Sequence, residues 1–322
     1  MMKRKLRCFA LTLAFLTLLP LQARAAEKLI PVGEVIGLQL YNDKVTVAAY
    51  DDVLGGTARS AGLKIGDQIL EIDGNPISCA EDVRGALGQG GEELNLTVSR
   101  GGKAHQLKLT PAATREGPRM GVFLRQGIAG IGTVTFYDPE TGVFGALGHG
   151  VCDSGGLLSM TRGNAFDADV AEVKKGKAGD PGQLKGMAQT AVPFAPLLRN
   201  TAQGVFGVTS RGWQGTALPV ASYEEVHTGQ ASIRAQTGTG EAREYSVEIL
   251  KIYPQTRTDH RNFLLRVTDP ALLESTGGIV QGMSGSPILQ DGKIVGAVTH
   301  VLVNQPDTGY GIFIENMLDA AG

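Results

Sequence analysis

The sequence predicts a mainly β protein built from two domains. Glycine is abundant, with 45 residues in a chain of 322, whereas aromatic residues make up only 6%. Short runs of alternating apolar and polar residues are separated by frequent turn signals, as a barrel or sandwich requires. This composition favours a turn-rich β fold over a helical bundle, and the length is sufficient for two cores.

The first 26 residues have the pattern of a targeting segment. Basic residues lie at positions 3, 4, 5 and 7, an apolar run covers positions 9–21, and Ala23-Arg-Ala25 fits a cleavage site with small residues. The apolar run is short for a membrane span, so we expect a signal peptide rather than a permanent anchor. An uncleaved anchor is the alternative and would allow membrane association; in either case the domains that follow are exported.

Composition also narrows the classes of partner. A net charge of −2 argues against nucleic acid. No zinc motif or phosphate-binding loop is present in the sequence, so no metal or other cofactor is expected. Beyond the targeting segment only Cys79 and Cys152 remain, which is not a disulfide framework. We expect Cys152 to be a small buried residue rather than a nucleophile.

Residues 30–111 resemble a PDZ domain. The run AGLKIGDQILEIDG at residues 61–74 carries the resemblance, between a predicted strand pair at 35–50 and a predicted helix at 80–87. Such domains bind an extended peptide by adding it to a sheet edge. The resemblance places the peptide-binding loop on Gly37, Leu38, Gln39 and Leu40, with Gln39 where the family usually has glycine. A purely structural brace is the alternative.

Residues 112–119 are polar, follow Pro111, contain Pro118 and are predicted to be a linker. The catalytic unit is expected to cover residues 120–322. Its most informative stretch is GIVQGMSGSP at residues 278–287, which is followed by a hairpin signal at Asp291-Gly292. A serine loop that enters a β-hairpin resembles the chymotrypsin-like double barrel. The nucleophile elbow of α/β-hydrolases would need a helix after the serine, and no helical pattern follows.

Three residue types in this unit point to acyl-transfer chemistry. Ser284 is the candidate nucleophile, because the flanking glycines allow a tight loop whose N–H groups can hold an oxyanion. We expect the amides of Gly282 and Ser284 to be those donors. His149 lies between two glycines at the end of a predicted strand and precedes the serine, as in chymotrypsin-like enzymes. It is the candidate general base.

Together the motifs FGALGHG at residues 144–150 and GGIVQGMSGSP at 277–287, behind a PDZ-like segment, resemble the SpoIVB peptidase family. These are serine peptidases of stage IV of bacterial sporulation. The resemblance implies Ser284 as nucleophile, His149 as base and Asp269 as the third triad member. On physical grounds Asp269, which precedes Pro270, could instead cap the following turn. The rival acidic partners are Asp153, Asp167, Asp169, Asp180 and Asp259.

The resemblance further implies a role in sporulation signalling. The protein would be exported to the space between the two forespore membranes and would cleave a regulatory membrane protein of an intramembrane protease complex, with self-cleavage near its own N-terminus. Two alternatives are open: a general envelope quality-control serine protease, and a non-catalytic PDZ signalling scaffold. His300 ends a strand that could pair with substrate or support the site.

Overall fold

A computed structural model describes residues 28–153 and 156–322. The predicted targeting segment, residues 1–26, lies outside these ranges. The strands before residue 151 are β1 (Lys28–Pro31), β2 (Val35–Tyr50), β3 (Gln68–Ile72), β4 (Asn75–Pro76), β5 (Leu94–Arg100), β6 (Lys103–Leu109), β7 (Ala112–Thr114), β8 (Gly117–Arg119), β9 (Val122–Tyr137) and β10 (Val143–Ala146). The helices in this part are α1 (Gly55–Ser60) and α2 (Ala80–Gln89).

The rest of the described chain is again mainly strand. Its strands are β11 (Cys152–Asp153), β12 (Gly156–Leu157), β13 (Arg162–Lys174), β14 (Gln183–Ala188), β15 (Ala195–Thr201), β16 (Gly204–Val208), β17 (Leu218–Pro219), β18 (Gly229–Ala235), β19 (Arg243–Ile252), β20 (Phe263–Val267), β21 (Pro287–Gln290), β22 (Lys293–Leu302) and β23 (Gln305–Phe313). The helical segments are a 3-10 turn at Tyr223–Glu225, α3 (Pro270–Thr276) and α4 (Ile314–Ala321).

Two rings of six strands form the larger part of the fold. In the first ring, antiparallel pairing runs β9–β10–β16–β15–β13–β2 and returns to β9. The second ring runs β18–β19–β20–β23–β22–β21 and is also closed. Each ring encloses its own apolar core, with Phe144 and Val205 buried in the first and Phe263 and Leu265 in the second. Closure leaves few free strand edges within a barrel. The mainly β class and the predicted double barrel are confirmed.

The PDZ-like domain is inserted into the first barrel through two long strands. The first half of β2 packs in the barrel core, whereas its second half, from Val45 onward, packs in a separate core with Leu63 and Leu96. The partner strand β9 divides in the same way. A bulge at the register shift between Leu40 and Val45 separates the two halves.

The inserted domain therefore differs from the boundaries predicted by sequence. It precedes most of the peptidase domain in the chain, as expected. However, residues 28–40, which were expected to open the PDZ domain at residue 30, belong to the first barrel, while Met120 and Leu124 pack with the PDZ core. The expected linker at 112–119 forms the short hairpin β7–β8. Local alternation could not reveal this, because both cores bury a strand in the same pattern.

A fourth apolar cluster joins the barrels. Leu29 and Phe136 from the first barrel pack with Ile312 and Met317 from the second barrel and α4. This contact fixes the relative position of the two barrels, so loops at their junction can meet with defined geometry. Within residues 28–153 and 156–322, no helix is long and apolar enough to cross a membrane.

Candidate active site

The loop that carries Ser284 lies against the first barrel. Gly285 follows the serine with φ +100°, a conformation that side-chain-bearing residues rarely adopt. A Cβ atom at this position would lie 2.0 Å from the Thr133 carbonyl oxygen and 2.6 Å from the Leu147 nitrogen. Only glycine permits this close approach. The residue therefore brings the serine loop of the second barrel into direct contact with strand β9 and with the loop that leads to His149.

Two successive residues in the left-handed region carry the chain from β10 to His149. Leu147 has φ +71° and Gly148 has φ +67°. A leucine in this region is uncommon and costs local strain. Its amide donates to the Thr133 carbonyl oxygen at 3.1 Å, which holds the turn in place. The chain is thereby directed away from the strand, and the imidazole is presented at the junction of the two barrels.

Thr133 joins the loop that carries Ser284 to the loop that leads to His149. Its hydroxyl donates to the Gly282 carbonyl oxygen at 2.7 Å, and its amide donates to the Ser284 carbonyl oxygen at 3.0 Å. Its own carbonyl accepts from Leu147. The side chain is 1% exposed, so water does not compete for these bonds. One residue thus fixes the serine loop and the histidine loop relative to each other.

His149 and Ser284 line the same pocket of 340 Å³. Its other walls are mostly apolar and come from the first half of β2, from the middle of β9 and from the segment after His149. The lining residues include Leu38, Leu40, Ile128, Gly130, Ile131 and Gly282. The two residues that sequence motifs singled out are therefore brought together at one apolar concavity, 135 positions apart in the chain.

In this arrangement, serine and histidine each hydrogen-bond to a backbone carbonyl. The Ser284 hydroxyl donates to the Thr299 carbonyl oxygen at 2.7 Å. His149 Nδ1 lies 3.0 Å from the Gly150 carbonyl oxygen, which can only accept, so Nδ1 carries the proton. The tautomer with a free lone pair on Nε2 follows, and that is the form a general base needs.

The electrostatic surroundings keep His149 neutral. The ring is half-buried, and desolvation lowers the pKa of His149 below its ordinary value near 6.5. The ring of His300 lies beside it, with centroids 5.2 Å apart. The pKa of His300 is lowered as well, first by desolvation and then by His149, although its side chain is partly open to solvent. Near neutral pH both imidazoles are uncharged.

Asp269 caps a helix and does not contact His149. It is the N-cap of α3, and its carboxylate accepts from the amides of Ala271 at 2.9 Å and Leu272 at 3.1 Å. The amide of Ser246 donates to its other oxygen at 3.3 Å. With Pro270 at the first helical position, this is the local capping role that the sequence allowed as the alternative. The structure does not bring Asp269 into a triad.

Four of the five rival acids are engaged elsewhere. Asp167 pairs with Arg211, Asp180 with Lys174, and Asp259 with Arg257. Asp169 accepts from Gln189. Asp153 lies on β11, directly before a short stretch outside the described residues. Within the described ranges, the hydrogen-bond partner of the His149 ring is the Gly150 carbonyl.

The amides of the serine loop divide into two sets. Met283 donates to the Val280 carbonyl oxygen at 3.1 Å and Gly285 to the Val298 carbonyl oxygen at 2.7 Å. The amides of Gly282 and Ser284, the donors expected from sequence, have no hydrogen-bond acceptor within the described residues. Two N–H groups beside a serine that are not otherwise hydrogen-bonded can act as the donors of an oxyanion hole.

The prediction for Cys152 is wrong, because its side chain is exposed and lines the same pocket as His149. The predicted peptide-binding strand is also misplaced. Residues 37–40 pair with β9 on one edge and with β13 on the other, inside the first barrel. Neither edge can accept an added strand. A pocket of 670 Å³ lies instead between α2 and residues 118–124.

Sequence reasoning missed this groove because residue 120 was taken as the start of the catalytic unit. The available signal was the run MGVF at residues 120–123, a glycine at the start of an apolar strand. Among the described residues, no group of three or more His, Cys, Asp or Glu side chains is arranged to hold a metal ion.

Comparison with protein families decides the assignment. The model described as SpoIVB peptidase S55 matches residues 116–318, and the PDZ domain model matches residues 35–110. The chain belongs to the SpoIVB peptidase S55 family. It combines a match to a PDZ domain with a match to this serine peptidase family, and the family suggested by the two sequence motifs is confirmed.

Individual relatives are more distant. A Brucella suis protein that carries the name of a zinc metalloprotease is 29% identical over 143 residues, covering 42% of this chain and 38% of its own. The mitochondrial serine protease HTRA2 of Drosophila willistoni is 37% identical over 65 residues, 20% of this chain and 15% of its own. The chain thus spans well under half the length of these curated relatives.

Among solved structures, the Rv3671c protease in its inactive form is similar at 15% identity, with a TM-score of 0.34 over 61% of this chain and 85% of the other. The PDZ domain of an SdrC-like protein from Listeria monocytogenes is 27% identical, with a TM-score of 0.23 over 26% of this chain and 87% of the other. The family assignment rests on the family models and not on these scores.

Replacing Thr133 by valine should lower kcat by about tenfold to a hundredfold, because the serine loop loses the bond that positions it. The loss of one buried hydrogen bond should cost only about 1 kcal/mol of unfolding free energy. Steady-state kinetics and urea unfolding measure the two effects. Thr135→Val is the matched control, since the Thr135 hydroxyl on the same strand is buried without a described partner. Equal kinetic effects of both substitutions would contradict the positioning role.

Asp269→Asn should retain nearly wild-type kcat, because asparagine caps helices about as well as aspartate. Asp269→Ala should lower the unfolding free energy by about 1 kcal/mol through loss of the cap. Thermal unfolding and peptide hydrolysis by both variants provide the test. If Asp269 instead orients His149, the asparagine variant would lose about 10⁴ in kcat with unchanged stability.

The acidic limb of the kcat/KM profile should lie below pH 6.5. A general base must be neutral, and burial lowers the pKa of His149, so activity persists at pH values where an ordinary histidine is already protonated. Initial rates from about pH 4.5 to pH 8, with a substrate that does not titrate in this range, give the limb directly. An apparent pKa above 6.5 would show that the imidazole is stabilised in its charged form.

Proposed function

We propose that Ser284 and His149 are the catalytic residues of a serine endopeptidase that acts in sporulation signalling. The observation that carries the catalytic assignment is the shared pocket, which holds the serine, the histidine and an unengaged backbone amide. The sporulation role is supported by membership of the SpoIVB peptidase S55 family.

Catalysis would begin with rotation of the Ser284 hydroxyl from the Thr299 carbonyl towards His149. Rotation about one side-chain bond moves the hydroxyl between staggered positions and so releases it from the Thr299 carbonyl. His149 Nε2 takes the proton as the oxygen attacks the scissile carbonyl. The amides of Gly282 and Ser284 hold the developing oxyanion. His149 then gives its proton to the leaving amine, and water releases the acyl group by the same steps.

The Gly150 carbonyl takes the orienting position that an aspartate occupies in most triads. It fixes the Nδ1–H tautomer, as an aspartate does. A neutral carbonyl stabilises the imidazolium less than a carboxylate would, so a Ser–His pair of this kind should work more slowly. Slow turnover is compatible with a signalling protease that cuts one regulatory protein once.

The proposed substrate is a regulatory membrane protein of an intramembrane protease complex, met after export to the space between the forespore membranes. Self-cleavage near the N-terminus belongs to the same proposal. These finer statements rest on the family alone. The chain is also similar to a DegP-like periplasmic serine endoprotease of Pseudomonas fluorescens. The two are 29% identical over 126 residues, which cover 36% of this chain and 26% of the other. Envelope quality control is therefore the alternative function to test.

Ser284→Ala should abolish cleavage of a candidate regulatory membrane protein, and a fluorophosphonate probe should label the wild type only on the peptide that contains residue 284. Ser286→Ala is the control, because that neighbouring hydroxyl is buried without a described partner and should not matter for catalysis. Digestion of unfolded casein at a similar rate would favour quality control. Equal behaviour of wild type and Ser284→Ala would instead indicate a non-catalytic scaffold.

A further inference from the structure

Strand β9 lines both the PDZ groove and the serine pocket. Its first residues, Val122 to Leu124, form one wall of the 670 Å³ groove opposite α2. Further along the same strand, Ile128, Gly130 and Ile131 form one wall of the pocket that holds Ser284. A single continuous element therefore connects the two concavities, which in a linear arrangement of domains would be independent of each other.

One edge of this strand is free between the two sites. From Val122 to Gly132, β9 pairs with β2, and within the described residues its other edge has no strand partner. From Thr133 onward that edge is used by the Ser284 carbonyl and by the barrel. An unpaired edge presents N–H and C=O groups with which an extended peptide can pair, so that the peptide adds a new strand to the sheet. The side chain of Phe123, 56% exposed, offers an apolar contact at the groove end.

The groove end carries the chemistry of a carboxylate site. The amides of Met120 and Gly121 have no hydrogen-bond acceptor within the described residues. Gly121 adopts φ +76°, and a Cβ there would lie 2.2 Å from the Leu54 carbonyl oxygen, so glycine is required for this turn. Consecutive free amides at such a turn form a concavity that binds anions, including a C-terminal carboxylate.

The position of these amides sets the direction of a bound chain. They lie at the N-terminal end of β9, so a chain whose C-terminus they hold would run antiparallel to β9. Its N-terminal direction leads along the free edge towards Ile131 and the serine pocket. Ten positions separate Gly121 from Ile131, which corresponds to about 33 Å of strand and about ten residues of an added strand.

The catalytic geometry requires the same direction. The pocket lined by β9 also contains His149, which protonates the leaving amine, and it contains no residue of β22. Strand β22 pairs with β21 only as far as Ala297, so its edge near Thr299 can receive the acyl side of a substrate. The residues after the scissile bond therefore leave across the β9 pocket. The groove and the pocket on β9 are thus both placed to bind the part of the substrate that follows the scissile bond.

We propose that one substrate chain occupies both sites, with its free C-terminus in the PDZ groove and its scissile bond about ten residues upstream. The segment between them pairs with the free edge of β9. An apolar side chain follows the cut, because Leu38, Leu40 and Ile128 form the pocket wall there. This assignment rests on the proposed peptidase function and adds to it a ruler for substrates that present a free C-terminus; the proposed self-cleavage near the N-terminus would not use it.

Paired synthetic peptides of about 24 residues, each made as free acid and as C-terminal amide, test the ruler. They carry a randomised centre and an apolar last residue. Mass spectrometry locates the first cut by wild-type protein. The free acids should be cut about ten residues from the C-terminus. When a Gly-Ser spacer of about four residues is inserted before the last residues, the cut should stay about ten residues from the C-terminus and should therefore fall at a different sequence. Cuts that ignore the terminus, or that are identical in acid and amide, would overturn the ruler.

Binding is measured separately with the Ser284→Ala form and fluorescein-labelled peptides. The free acid should bind at least about tenfold more tightly than the amide. Phe123→Glu places a negative charge in the groove on an exposed position and should reduce that preference to near unity. Val53→Glu, an 87% exposed position in the same domain outside the groove lining, should retain it. Equal binding of acid and amide would contradict the docking site.

The two failures are distinguishable. If wild-type protein cuts no peptide and is not labelled by the fluorophosphonate, the peptidase proposal fails, while acid-specific binding by Ser284→Ala would still support docking at the groove. If cutting occurs but its position is unrelated to the C-terminus, the ruler fails and the peptidase stands. Circular dichroism melting of Phe123→Glu and Val53→Glu shows whether the inserted domain remains folded in each.

Discussion

The contact of Thr133 with the serine loop is the interaction on which the site depends. Serine and histidine belong to different barrels, so neither barrel alone can set their relative position. Thr133 hydrogen-bonds to Gly282 and Ser284 on one side and accepts from Leu147 on the other. The requirement for glycine at 285 follows from the same contact, since any Cβ there would collide with the Thr133 carbonyl. The apolar cluster between the barrels then holds this junction closed.

Strand β9, which carries Thr133, also connects the inserted PDZ domain to the first barrel. A domain joined by a flexible linker could present a bound peptide in any orientation. Here the domain is joined by two paired strands, β2 and β9, which continue into the barrel with register shifts only between Leu40 and Val45 and between Val47 and Ala49. Because those strands are part of both cores, the direction from groove to pocket is set by the fold. That is why a length, rather than only an affinity, can be inferred.

Sequence predicted the parts of the site that depend on local chemistry. The glycines beside Ser284 and His149 specify loop conformations wherever those loops lie, so the two motifs could be read without knowing the topology. Asp269 before Pro270 was compatible with a cap on local grounds, and the structure places it there. A triad role needed a long-range contact, which no local pattern encodes.

The errors have a common physical origin. Residues 37–40 alternate as a strand, and alternation is the same whether the edges of that strand are free or paired. Their pairing with β9 and β13 depends on segments about 90 and 130 positions away. The start of β9, Val122–Leu124, lines the groove but was assigned to the catalytic unit, because the pairing that places it in the inserted domain is with β2, more than 70 positions earlier. Cys152 lies three positions after His149, and only the folded structure shows that this side chain is exposed and lines the pocket.

In the absence of substrate, the Ser284 hydroxyl is hydrogen-bonded to the Thr299 carbonyl and not to His149. The hydroxyl donates to the carbonyl oxygen of Thr299, whose strand has, within the described residues, no β21 partner beyond Ala297 on the edge where the acyl side of a substrate would pair. Exchanging that bond for one to His149 replaces one neutral hydrogen bond by another, a change of about 1 kcal/mol at most. The resting state therefore imposes no large barrier. What remains costly is the ordering of a flexible chain across the site, and a terminus already held at the start of β9 reduces that entropy before the serine reacts.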